Sequence, residues 1–189
     1  MILERGDKVE ISGNGIDLRP LQMKDVSSLL ELRSRNRKFL EPYEPKQRES
    51  HFTVDVQTEV IEQAMRNWEQ DLGYSFGIFL KENGCLIGRV NLSNVVRGAW
   101  RSCTIGYFLD EDYNGKGIMT EAVGLVVDFA FSKVDLHRVQ AGVMPQNLPS
   151  IRVLEKVGFR YEGLAKYYLN INGNWEDHNI YSITKEFWS

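Results

Sequence analysis

The chain has 189 residues, of which 42% are apolar and 26% charged. That is the make-up of a soluble globular chain of one-domain length, burying about 70% of its unfolded surface on folding, and it excludes disordered, collagen-like and coiled-coil classes. Twenty-three Lys and Arg stand against 26 Asp and Glu, a formal charge of −3, without the basic excess of a protein that lives on duplex nucleic acid.

Residues 1–189 are expected to form a single domain. The two cysteines, Cys85 and Cys103, suit a reducing compartment. They form no CxxC pair and lie far in sequence from His51, His137 and His178, so no metal site is expected. The opening MILERGDKVE lacks a basic segment followed by an apolar core, and no apolar run approaches a membrane span. A cytoplasmic protein with no membrane attachment is the expectation.

In chain order, Val9, Ile11, Ile16 and Leu18 bracket Gly13-Asn14-Gly15, a hairpin signal. A helix follows over Lys24 to Leu40, with Val26, Leu29, Leu30 and Leu32 as its apolar stripe and a basic second half. Pro42 and Pro45 end it in a stiff loop. A second helix is predicted from Val54 to Leu72. Residues 41–71 hold eight acids against three bases, which reads either as a solvated helix face or as a docking surface for a basic partner. Tyr74 to Leu80, Cys85 to Leu92 and Ser102 to Leu109 read as an antiparallel meander. After Leu109 the pattern turns polar and glycine-bearing. Ile118, Ala122, Leu125, Val126 and Phe129 then fall at helical spacing. A strand over Arg138 to Val143 precedes a helix that begins near Asn147 or Ser150 and stops at Gly158. Two closing strands, Phe159 to Leu169 and Trp175 to Ile183, surround the Asn172-Gly173 turn. This order, β-β-α-α-β-β-β-α-β-α-β-β, is an α+β fold with a mixed sheet.

The informative segment is Tyr113-Asn114-Gly115-Lys116-Gly117-Ile118-Met119-Thr120-Glu121. It leaves a strand and opens a helix, where four backbone N–H groups lack internal partners and the dipole is positive. Gly115 and Gly117 allow close backbone approach to a ligand. Such a place suits phosphate or pyrophosphate. The spacing is neither GxGxxG nor a P-loop, which argues against a dinucleotide and against ATP.

Joined to Asn147-Leu148-Pro149-Ser150 and Lys156-Val157-Gly158-Phe159, this segment resembles the acyl-CoA-binding half of GNAT N-acetyltransferases. The likeness extends to Arg35 through Pro45, Asn94 through Gly98, Leu136 through Val139, Tyr161-Glu162-Gly163 and Gly173 through His178. These stretches resemble the ribosomal-protein-alanine N-acetyltransferases of the RimJ/RimL branch, over nearly all of residues 9–188. The resemblance implies a mostly antiparallel twisted sheet of about seven strands with about four helices, opened by a V-shaped cleft between its two central strands. It implies acetyl-CoA as cosubstrate and no metal. Its pyrophosphate would sit on the backbone of Asn114, Gly115, Lys116, Gly117, Ile118, Met119 and Thr120. Its pantetheine arm would pair with Phe108 and Leu109, and Asn147 would touch the pantetheine or ribose side. Asn114 and Met119 depart from the residues usual at the two ends of the loop motif. The acids Asp110, Glu111 and Asp112 are expected to turn away from the phosphates.

The implied reaction is direct attack of a neutral amine on the thioester. A strand N–H near Phe108 would serve the developing oxyanion. Many relatives carry a Tyr on the last helix as proton donor. Here that place holds aliphatic residues around Leu154, and Ser150 is the substitute. The strand after the glycine loop, Gln140-Ala141-Gly142-Val143, lacks the acid some relatives use as base. Glu44, between the two prolines, is the candidate base, with pairing to Arg35 or Arg37 as its structural alternative. An α-amino group, with a pKa near about 8 against about 10.4 for lysine, needs only a modest base. The favoured acceptor is therefore a protein N-terminus, foremost an alanine of a ribosomal protein. The alternatives are a small amine (a polyamine or aminoglycoside) and a non-catalytic role on pre-ribosomal particles. A monomer or homodimer is implied.

Overall fold

A computed structural model describes residues 9–188. Of Met1 to Glu10, read for a targeting signal, only Val9 and Glu10 fall inside that range. The chain forms β1 (Ile11–Ser12), β2 (Ile16–Arg19), α1 (Val26–Arg35), α2 (Arg37–Leu40), α3 (Val54–Glu69), β3 (Tyr74–Leu80), β4 (Leu86–Val96) and β5 (Ser102–Leu109). There follow α4 (Ile118–Ser132), β6 (Arg138–Val143), α5 (Leu148–Val157), β7 (Arg160–Ile171) and β8 (Asn174–Thr184). The eight strands make one sheet in the order β1-β2-β3-β4-β5-β6-β8-β7.

Every neighbouring pair is antiparallel except β5 and β6, which run parallel. That pairing covers only Ser102–Thr104 against Arg138–Gln140. β5 continues against β4 to Leu109, and β6 continues against β8 to Val143. Each strand thus keeps its outer neighbour while the two part from each other, which is the V-shaped cleft expected from the sequence.

Apolar cores lie on both faces of the sheet. On one, Phe76, Ile78, Val90, Leu92, Ile105 and Leu109 pack against the buried side of α4 and Leu154 of α5. On the other, Leu29 and Leu32 of α1 and Ile61 of α3 pack against Phe79 and Leu86, with Phe108 at the margin. Covered from both sides, β3 is buried along its whole length.

The eight strands match the order read along the chain and exceed by one the seven or so that the resemblance implied, and the helices number five rather than four. The single helix predicted over Lys24 to Leu40 is instead a short 3₁₀ turn, then α1, then α2. Asn36 separates the two helices. Its Nδ2 donates to Leu32 O at 3.0 Å, and its Oδ1 accepts from the Glu111 N–H at 2.8 Å. A side chain that competes with the backbone in this way breaks a helix, and here it fixes the break to the loop before α4. The second predicted helix stops at Glu69 rather than Leu72. β4 runs four residues past the expected Leu92.

Candidate active site

The glycine loop enters α4 through two glycines in the left-handed region, Gly115 at φ 76° and Gly117 at φ 81°. A Cβ built on either would meet nothing within 4 Å, so the space above them is open. Among the described residues, the amides from Gly115 through Thr120 donate to no protein acceptor. The next one, of Glu121, returns to Gly117 O at 3.1 Å. This is a run of six consecutive free donors at the positive end of a 15-residue helix. Lys116 adds a cation held over the Tyr113 ring at 4.9 Å.

The acids around this loop are occupied elsewhere. Asp110 is buried and takes Arg35 Nε at 2.9 Å and Nη2 at 2.7 Å on one oxygen. Glu121, in the first turn of α4, accepts from the Asn14 N–H of the β1–β2 turn. Glu111 and Asp112 are exposed. Carboxylates that would repel an anion are thereby turned off the amide run or left in solvent.

Beyond Thr104, the β5 edge that faces β6 has no strand partner. Tyr107 and Phe108 occupy opposite faces of this edge. Phe108 lies on the α1 side, its ring 4.9 Å from the Arg33 guanidinium. Tyr107 lies on the α4 and α5 side. Its hydroxyl is 2.9 Å from Ser150 Oγ and donates to Ser150 O at 3.2 Å. Burial pushes the Tyr107 phenol above its ordinary pKa, only partly offset by Ser150, so it keeps its proton at neutral pH. Tyr107 escaped the sequence reading. The signal available was the strand alternation, which sets residue 107 on the same face as Ile105 and Leu109.

Asn147 caps α5, its Oδ1 accepting the Ser150 N–H at 3.2 Å. Pro149 occupies the first turn, where its missing donor costs nothing. Among the described residues the Asn147 Nδ2 has no protein acceptor, so capping leaves a donor free at the helix start.

Glu44 is held by Arg33, with contacts of 2.8 and 2.5 Å between the two forks. Its partner is neither of the arginines expected: Arg35 binds Asp110 and Arg37 binds Glu49. A carboxylate engaged at both oxygens by a buried guanidinium is poorly placed to collect a proton. The β6 wall carries a feature the sequence reading did not assign. The Tyr168 ring lies 3.2 Å from where a Gly142 Cβ would be, and packs on His178 with centroids 5.5 Å apart. Among the described residues no group of three or more His, Cys, Asp or Glu could hold a metal ion, and no helix is long and apolar enough to cross a membrane.

Residues 16–160 match the family described as acetyltransferase (GNAT) domain. A probable N-acetyltransferase of Bacillus subtilis, YjcK, is 48% identical over 173 residues, covering 92% of this chain and 96% of that protein. The crystal structure of a ribosomal-protein-S5-alanine acetyltransferase from Vibrio fischeri superposes with a TM-score of 0.90 at 35% identity, covering 96% of this chain and 99% of the other. Mycobacterium smegmatis RimJ, solved in complex with CoA-disulfide, superposes at 0.86 with 36% identity, over 90% and 82% of the two chains. With its splayed central strands and glycine-loop helix, the chain belongs to the GNAT family, as an N-acetyltransferase related to the ribosomal-protein-alanine enzymes.

Proposed function

We propose that this protein transfers acetyl from acetyl-CoA to the α-amino group of a protein N-terminus, foremost an alanine of a ribosomal protein, and that residues 9–188 act as one catalytic domain. The observation that carries the reading is the run of unpartnered amides from Gly115 to Thr120 beside the unpaired edge of β5. The run suits the coenzyme diphosphate, and Lys116 adds charge. The edge at Phe108 and Leu109 suits the amide groups of the pantetheine arm, and the free Asn147 Nδ2 suits its other side.

Within this reading the chain's own groups divide the work. The β5 backbone near Phe108 supplies an N–H where the thioester oxygen gains charge. The Ser150 hydroxyl donates toward the departing sulfur, and as it does so the Tyr107 hydroxyl, 2.9 Å behind Ser150 Oγ, turns its proton from Ser150 O to that oxygen. A thiol of pKa near about 8.5 leaves without strong assistance, so this help is modest. With Glu44 engaged by Arg33, the acceptor proton goes to water. That is adequate for an α-amino group, a fraction of which is neutral at physiological pH, and poor for a lysine.

The test is mass spectrometry of ribosomal proteins from cells lacking the enzyme, after incubation with the purified protein and acetyl-CoA. One or more N-termini should gain an acetyl group, with alanine foremost. No N-terminal gain alongside robust acetylation of polyamines or aminoglycosides would overturn the acceptor assignment and leave the acetyltransfer chemistry intact.

A further inference from the structure

On the α1 and α3 face, Arg89 of β4 lies half-buried beneath α3. Its Nε donates to Ser75 Oγ at 2.7 Å. Among the described residues, its two Nη groups make no hydrogen bond, and Arg89 takes part in no ion pair. No buried side-chain polar atom in those residues lacks a partner, so these nitrogens are wetted by the cleft they line. That cleft has a volume of about 230 Å³, between α3 and the edges of β3 and β4. At roughly 30 Å³ per water it holds seven or eight, ample for an acidic side chain.

Arg89 is the only charged residue in its lining. Asn67 and Asn91 offer amide groups beside it. Arg33, the nearest other cation, is already matched by Glu44. Burial, with Arg33 adding to it, brings the Arg89 guanidinium down to about 10, which leaves it charged at neutral pH without a counter-ion. A half-buried cation without a counter-ion, its fork open to the cleft, is matched by a carboxylate there through charge-assisted hydrogen bonds.

The cleft adjoins the reacting edge. Arg89 pairs across the sheet with Phe108, and Asn91 with Gly106. One strand spacing is about 4.8 Å, and an extended peptide advances about 3.3 Å per residue, so the cleft lies within reach of the first few residues of an acceptor. The segment containing α3 was read as acidic, but half of its eight acids pair with arginines: Glu44 with Arg33, Glu49 with Arg37, Glu62 with Arg66 and Asp71 with Arg97. The wall α3 gives the cleft is neutral, Val60, Gln63, Ala64 and Asn67, so the charge an acceptor meets there is that of Arg89 on β4.

We propose that Arg89 is a specificity residue that binds the side-chain carboxylate of an Asp or Glu within the first four residues of the acceptor, so that acidic N-terminal segments are preferred. This rests on the acceptor reading above. The test uses neutral decapeptides beginning with Ala, in which Glu and Gln are exchanged in turn at positions two, three and four. With the wild-type protein, Glu should exceed Gln in kcat/KM by at least tenfold at one position, through a lower peptide KM. Arg89→Gln should bring that ratio to near one, and Arg89→Lys, which keeps charge but loses the fork, should leave it in between. No preference at any position, or a preference that survives Arg89→Gln, overturns the proposal while leaving N-terminal acetylation standing. If the wild type acetylates none of these peptides, the acceptor reading fails. The cleft is then judged by titrating glutarate against the Arg89 Nε–H resonance in ¹⁵N NMR: a saturable shift sustains a carboxylate site, and no shift removes it.

Discussion

Ser150 and Tyr107 stand 43 positions apart in the chain and meet at 2.9 Å on the α4 and α5 face of β5. If the pair hands a proton toward the leaving thiolate in series, removing either member should disable much of what the other does. Ser150→Ala should lower kcat about tenfold, at the bottom of the range for acid catalysis because the thiolate leaves fairly well unaided. Tyr107→Phe should lower it about threefold, and the double variant should be no slower than Ser150→Ala. Steady-state thiol release would measure all three. Multiplied losses, about thirtyfold in the double variant, would separate the two residues. The helix start that carries Ser150 was accessible from the sequence because Asn-x-x-Ser is a capping pattern. The partner of Ser150 was not, because nothing local in Tyr-Phe-Leu tells which strand face meets α5. Glu44 shows the same limit: the sequence reading named Arg35 and Arg37 as its partners, and only packing selects the buried Arg33.

Elements with strong local punctuation were legible to the residue. β5, β6 and the stop of α5 at Gly158 fall where predicted, because alternation, Gly158 and Asn147 act locally. The break at Asn36 was not legible, since the side chain that competes with the helix backbone at Leu32 O is fixed there by a hydrogen bond from Glu111, 75 positions away. In the proposed function the α4 loop converts such geometry into affinity. Gly117 sits at φ 81° with open space above it, so Gly117→Ala meets no clash and its cost, about 1–2 kcal/mol, is conformational. Relief of that strain would re-aim the amides. Acetyl-CoA should bind about tenfold more weakly by calorimetry, and unchanged affinity would remove the loop from the binding site. At the start of α1, Asp25 shows how pH enters. Burial disfavours its charge, but hydrogen bonds from Arg19, at 2.7 and 2.8 Å, and from the Gln22 N–H outweigh this and hold the carboxyl below its ordinary range. The unfolded chain therefore binds the proton more readily, and the stabilisation is complete above about pH 4 and lost as pH falls through the folded value. Asp25→Asn should lose about 2 kcal/mol at pH 7, or about 4–8 °C in Tm, and the gap to wild type should narrow on acidification. A gap that stays constant from pH 7 to pH 2 would deny the linkage.

Across the whole molecule, helices cover the sheet unevenly, and that decides where an acceptor can come from. α4 and α5 pack on one face, and α1 and α3 pack on the other over β3 and β4. On that second face Gly106 is exposed in the middle of β5, flanked by Thr104 and Phe108, and a Cβ built there would meet nothing within 4 Å. Its backbone is not in the left-handed region, so a side chain there is free of strain. A glycine that the fold does not require, in a strand that would gain about 0.5–1 kcal/mol from a larger residue, is explained by what passes over it. We take it as the floor of the acceptor path, next to the Arg89 cleft and opposite the Tyr168 and His178 wall. Gly106→Val should therefore raise Tm slightly and lower kcat/KM for an N-terminal peptide at least tenfold, while acetyl-CoA affinity by calorimetry stays within about threefold. Peptide turnover that survives the valine would move the acceptor to the α4 face. A matching loss of acetyl-CoA affinity would instead assign Gly106 to the coenzyme path.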